Sequence, residues 1–253
     1  MNYFPILLGL IAGGTVAIGA IIISKGKFSK TTIGYLGAFT GGILSYLALD
    51  TGSEAEEIVT NFLSAKDYSA FTIALILTSV GLLGTWLLLS LLERNPSGEG
   101  LPVVVASALG FHNIGEGFAI AAALLSGSVA AAWAFTIGFA VHNATEGFAI
   151  SSPAVMSKRV MRLKVLIPLS LLAGLPTTLG ASIYYLGISN EIFLAFLNVV
   201  ASASLAFVMI RININASSLL GGFKAKFWTW LFIGIATTYG LEVLLDILGG
   251  ATF

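Results

Sequence analysis

From Leu101 to Leu125 the chain reads Leu-Pro-Val-Val-Val-Ala-Ser-Ala-Leu-Gly-Phe-His-Asn-Ile-Gly-Glu-Gly-Phe-Ala-Ile-Ala-Ala-Ala-Leu-Leu, an apolar run whose single formal charge is Glu116. A membrane-spanning helix needs about 20 mostly apolar residues, whereas strands of a membrane barrel alternate apolar and polar at every second position. The run is continuous and too long for such a strand, so it reads as a transmembrane helix. Working outward, similar stretches occur at Phe4–Ile23, Thr32–Leu49, Phe71–Leu92, Val129–Ser151, Val165–Leu186, Ile192–Ile210 and Phe227–Leu248. The expected fold class is all-α: one polytopic transmembrane domain over residues 1–253, with eight spans.

Composition agrees. Hydrophobic residues make up 57% and charged residues only 9%, against about 25% charged in soluble domains. Mean hydropathy is +0.97. The formal net charge of zero argues against nucleic acid as a partner. Cysteine is absent, which removes disulfides and thiolate metal sites. The opening Met1-Asn2-Tyr3-Phe4-Pro5 lacks a basic n-region, so the first stretch is expected to be a retained helix.

The basic residues order the spans. Lys25, Lys27 and Lys30 follow the first, Arg94 the third, Lys158, Arg159, Arg162 and Lys164 the fifth, and Arg211, Lys224 and Lys226 the seventh. With eight spans these all fall on one side, leaving only Lys66 of the 12 Lys and Arg on the other. Basic loops mark the cytoplasmic face, so both termini are expected outside a cell membrane. Between the second and third spans lies an acidic segment, with Asp50, Glu54, Glu56, Glu57 and Asp67. It reads either as a cation-concentrating funnel or as an ordinary solvated outer loop.

One segment repeats. Phe111-His112-Asn113-Ile114-Gly115-Glu116-Gly117-Phe118-Ala119-Ile120 recurs as Val141-His142-Asn143-Ala144-Thr145-Glu146-Gly147-Phe148-Ala149-Ile150, and the copies take both histidines of the chain. His and Glu at i, i+4 stack on one helix face, with Asn about 100° round. His112 lies about 17 Å into its span and His142 about 20 Å into its own, by the 1.5 Å helical rise. Both therefore sit near the middle of a hydrocarbon core about 30 Å thick. The two spans run antiparallel, so an inverted pairing around a midplane site is expected, a recurring plan in transporters.

An ionised Glu at the bilayer centre costs at least about 2.5–3.5 kcal/mol, and neither span has a Lys or Arg at this depth. A divalent cation balances two carboxylates. Its nitrogen and oxygen donors suit Zn2+ foremost, then Fe2+, Mn2+, Co2+ or Cd2+, rather than Cu(I), Ca2+ or Mg2+. In the absence of metal the close carboxylates would share a proton, so metal entry would expel one and binding would depend on pH. A bland reading keeps the polar groups as interhelical glue. Gly117 and Gly147 read as close-packing residues.

With these cassettes in place the chain resembles the ZIP family of divalent metal transporters, above all its prokaryotic branch with His-Asn-x-x-Glu-Gly-type motifs. The architectural likeness covers most of the chain; the motif evidence is confined to Phe111–Ile150. The resemblance implies uptake of a transition-metal cation as substrate, without an organic cofactor or enzymatic activity. It also implies inverted repeats, an elevator-like motion, a homodimer in the bilayer, and ligand roles for His112, Asn113, Glu116, His142, Asn143 and Glu146. Departures are visible. Gly115 and Thr145 occupy slots that often hold proline, Thr177 replaces a Glu in Gly174–Gly180, Arg211 stands where members often have an acid, and Asn95–Gly100 has no histidines. One metal site is therefore expected rather than two.

Asp50, Glu242, Thr177 and Asn198 are candidates for the metal path. Asp50 equally reads as the outer end of the second span, Glu242 as reaching the interface, and Asn198, with Ser202 and Ser204, as helix-to-helix hydrogen bonding. Alternatives to a carrier are a metal-selective channel or sensor using the same site and, further off, an intramembrane zinc hydrolase. The hydrolase lacks the His-Glu-x-x-His pattern of zinc proteases.

Overall fold

The computed structural model describes residues 3–25, 28–93, 101–156, 163–188 and 190–249. Lys27, Arg94, Lys158, Arg159, Arg162 and the Asn95–Gly100 segment lie outside the described residues. Within them every regular element is a helix. They are α1 (Phe4–Gly14), α2 (Val16–Lys25), α3 (Lys30–Ser64), α4 (Tyr68–Leu92), α5 (Leu101–Leu125), α6 (Val129–Met156), α7 (Leu163–Ser182), α8 (Glu191–Leu219) and α9 (Ala225–Gly249). A 3-10 turn, Ile183–Leu186, continues α7. Seven spans are long and apolar enough to cross a membrane, α1 and α2 together forming one of them. The remaining helix, α6, has the length at 28 residues, but the polar run from His142 to Glu146 dilutes its hydropathy. Among the described residues the architecture is consistent with a multi-pass membrane protein.

Local chemistry explains the ends. Pro5 sits in the first turn of α1, where its missing N–H costs nothing. Ser29, Asp67 and Asn190 cap α3, α4 and α8, their side-chain oxygens accepting from the Thr32, Ala70 and Phe193 amides at 3.0 Å. Gly127, at φ 83°, makes the tight turn between α5 and α6.

Two expectations need correction. The second span does not end at Leu49, and Asp50 is not its terminus. Helix α3 runs 35 residues to Ser64 and takes the acidic segment with it. The cause is an apolar stripe among the acids: Ala55 and Val59 are buried, with Ile58 and Phe62 beside them, against Ala74 of α4 and Ala195 of α8. Likewise α8 continues past Ile210 to Leu219, because Ile212 and Ala216 stay in the core. The first span stands as one stretch, Phe4–Ile22, with a single irregular residue at Thr15. At Thr15 the hydroxyl donates to the Ala12 carbonyl at 2.7 Å, and the backbone N–H reaches the same oxygen at 3.4 Å.

The helices pack as two bundles. Helix α3 lies chiefly on α8 and α9, with α4 on α8; α1, α2, α5, α6 and α7 pack on one another. The bundles meet mainly through α5 on α8, α3 on α6 and α6 on α9. Within the five-helix bundle, backbones touch. A Cβ on Gly117 would stand 2.9 Å from the Gly180 Cα, and one on Gly147 would stand 2.9 Å from the Gly19 Cα. A Cβ on either Gly13 or Gly174 would overlap the other's carbonyl.

Candidate metal centre

Both cassettes belong to helices of the five-helix bundle. His112, Asn113, Glu116, His142, Asn143 and Glu146 are all buried, none more than 4% exposed. On α5, His112 Nε2 lies 3.1 Å from Glu116 Oε1, as the i, i+4 spacing dictates. From α6, His142 Nε2 closes on the same Oε1. The two imidazole rings are 6.0 Å apart. One ligand atom each from His112, Glu116 and His142 lies within 4.8 Å of the others. Such a set of two imidazole nitrogens and one carboxylate oxygen can hold a divalent transition-metal ion.

The rest of the repeat behaves differently. Asn143 Nδ2 donates to Glu116 Oε2 at 2.8 Å and to the Ala12 carbonyl of α1 at 3.4 Å. Asn113 Nδ2 donates to Glu146 Oε2 at 3.3 Å and to the Ala173 carbonyl of α7 at 2.9 Å. Glu146 stands outside the three-residue cluster, and its Oε1 has no hydrogen-bond partner among the described residues. The same holds for Oδ1 of both asparagines and Nδ1 of both histidines.

A cavity of about 630 Å³ reaches this centre. His112, Glu116 and His142 line one end, and Asp50, Glu54, Glu57, Asn61, Asn198 and Glu242 line the rest of its polar wall. No Lys or Arg lines it among the described residues. Asn198 Nδ2 donates to Glu54 Oε2 at 3.0 Å across α8 and α3. Beside the site along α3, α5, α6 and α8, buried Ile43, Leu44, Leu109, Ile150, Leu205 and Val208 belong to one apolar cluster. Of the path candidates, Asp50, Asn198 and Glu242 line the cavity. Thr177 does not: it is fully buried in α7, beside the contact with Gly13 of α1.

Several features escaped the sequence reading. Asp50, Glu54, Glu57 and Asn61 fall at steps of four, three and four, a helical stripe hidden by reading the segment as a loop. Phe139 packs edge-on against His142 at 5.6 Å and stacks on Phe135 at 5.7 Å. A second repeat is also present. Leu8, Leu10, Ala12, Gly13, Gly19 and Ala20 match Leu169, Leu171, Ala173, Gly174, Gly180 and Ala181 at a constant offset (173 minus 12, 180 minus 19). Its members receive the two cassettes in matching ways, through Ala12 and Ala173 to the asparagines and through Gly19 and Gly180 to the glycines.

Compared with known proteins, the chain matches no family model and no curated relative.

Proposed function

We propose that this chain is a ZIP-like carrier that moves a divalent transition-metal cation across the cell membrane into the cytoplasm, with both termini outside. The observation that carries the reading is the cavity that leads from an acidic wall to the buried His112, Glu116 and His142. In this reading the carboxylates of α3 and α9 draw in the cation, and the two imidazoles with Glu116 strip part of its water. Glu146, held by Asn113, is the second carboxylate buried beside this set. Zn2+ leads the candidate substrates, with Fe2+, Mn2+, Co2+ and Cd2+ behind it.

The packing supports alternating access of the elevator kind. All six cassette residues belong to one bundle, whereas Asp50, Glu54, Glu57, Asn198 and Glu242 belong to the other. The matched contacts of the two halves of the five-helix bundle support an inverted repeat, and a homodimer follows from the family resemblance. The buried apolar cluster beside the site favours a carrier over a continuously open channel, and in this reading the metal centre serves transport rather than hydrolysis.

The test is uptake into proteoliposomes across a Zn2+, Fe2+, Mn2+, Co2+ and Cd2+ panel, for wild type and for His142→Ala. Saturable flux lost in the variant is the expected result. Metal binding without flux would favour a sensor, and flux that does not saturate would favour a channel.

A further inference from the structure

We infer that Asn143 and Asn113 are positioning residues that aim the two carboxylates, and that they are not metal ligands. The inference rests on the metal-carrier reading and refines the ligand set that the family resemblance implies.

The argument starts from the amide. An Asn side chain offers two N–H donors on one side and a carbonyl acceptor on the other. One neighbour of each Nδ2 here is a backbone carbonyl, which can only accept, and the other is a glutamate oxygen, which accepts when ionised. For Asn143 they are Glu116 Oε2 at 2.8 Å and the Ala12 carbonyl at 3.4 Å. For Asn113 they are Glu146 Oε2 at 3.3 Å and the Ala173 carbonyl at 2.9 Å. Turning either amide round would press its oxygen against a carboxylate oxygen and a backbone carbonyl inside a buried site. The orientation is therefore fixed, and both donors of each amide are committed.

The consequence is a crossed brace. Each asparagine holds the glutamate of the opposite cassette and ties it to a neighbouring helix, Asn143 to α1 and Asn113 to α7. For Glu116 this divides the carboxylate. Oε2 is occupied by Asn143, while Oε1 faces both imidazoles. Glu116 then meets the cation through Oε1, held at a fixed angle, as carboxylate ligands elsewhere are held by outer hydrogen bonds. The irregularity at Thr15 belongs to the same device. It strips the Ala12 carbonyl of its regular helical amide, leaving it to Thr15 and Asn143.

Ligand and brace predict opposite signs for one substitution. An aspartate is a stronger metal ligand than an asparagine, but it has no N–H to donate and would repel Glu116. The experiment titrates Co2+ into purified full-length protein in detergent at mildly alkaline pH. It follows the visible absorption of the bound ion in wild type, Asn143→Asp and Asn143→Ala.

If Asn143 is a brace, Asn143→Asp weakens binding at least as much as Asn143→Ala, each by about 10–100-fold. Binding by Asn143→Asp that equals or exceeds wild type overturns the inference. Should Asn143→Asp fail to fold, a double-mutant cycle decides. Asn143→Ala costs no further affinity in a Glu116→Ala background if it acts through Glu116, and an undiminished cost there overturns the inference. Absence of Co2+ binding by the wild type would defeat the carrier reading itself, before any variant is compared.

Discussion

The cassettes on α5 and α6 share the His-Asn-x-x-Glu-Gly pattern, yet they finish in unequal positions. Their packing halves agree: Gly117 meets Gly180 as Gly147 meets Gly19, and Asn113 meets the Ala173 carbonyl as Asn143 meets the Ala12 carbonyl. Their charged halves diverge. Glu116 collects contacts from both histidines and from Asn143, whereas Glu146 is held by Asn113 and stands outside the cluster. Repetition of sequence thus secures equal packing, and chemistry then selects one of the two carboxylates.

The comparison breaks most readily at those carboxylates. Glu116→Gln is expected to weaken Zn2+ binding by more than about 100-fold, beyond the range of outer-sphere losses, and Glu146→Gln by no more than about tenfold. Calorimetric titration of the purified variants checks this, and equal losses would restore a symmetric site. Next in size are the glycines. Gly117→Ala and Gly147→Ala are each expected to lower stability by about 1–3 kcal/mol through backbone overlap. Thermal unfolding in detergent should place the two within about 1 kcal/mol of each other, and a wide gap would show that the packing halves differ after all.

The smallest effect concerns Thr177, whose offset partner is Val16 (177 minus 161, where 161 is 173 minus 12). Both are fully buried, and the Thr177 hydroxyl has no partner among the described residues. Thr177→Val should therefore leave metal affinity unchanged and shift stability by at most about 1 kcal/mol, toward greater stability. A loss of affinity on titration would return Thr177 to the path.

Much of this was legible in the sequence. Long apolar runs announce helices regardless of tertiary detail, and the two cassettes announce themselves by carrying every histidine. What was not legible depended on the partner surface. The acids of α3 look like a loop until Ala55 and Val59 are seen against Ala74 and Ala195. The second repeat is written mostly in leucine, alanine and glycine, which in a membrane protein carry little information until the glycines are found in backbone contact. Which end of each asparagine amide meets the opposite glutamate was not legible either, because residue type does not say it.

The length of α3 has a last consequence. Thirty-five residues at 1.5 Å each make a rod of about 52 Å, against a hydrocarbon core of about 30 Å. Its acidic stripe therefore ranges from the cavity wall toward bulk water. Charges there act on free ions over a screening length of about 8 Å at physiological salt, whereas the buried centre acts only on contact. In the proposed carrier, ionic strength at one bundle would set how often a cation arrives, and coordination at the other how long it stays.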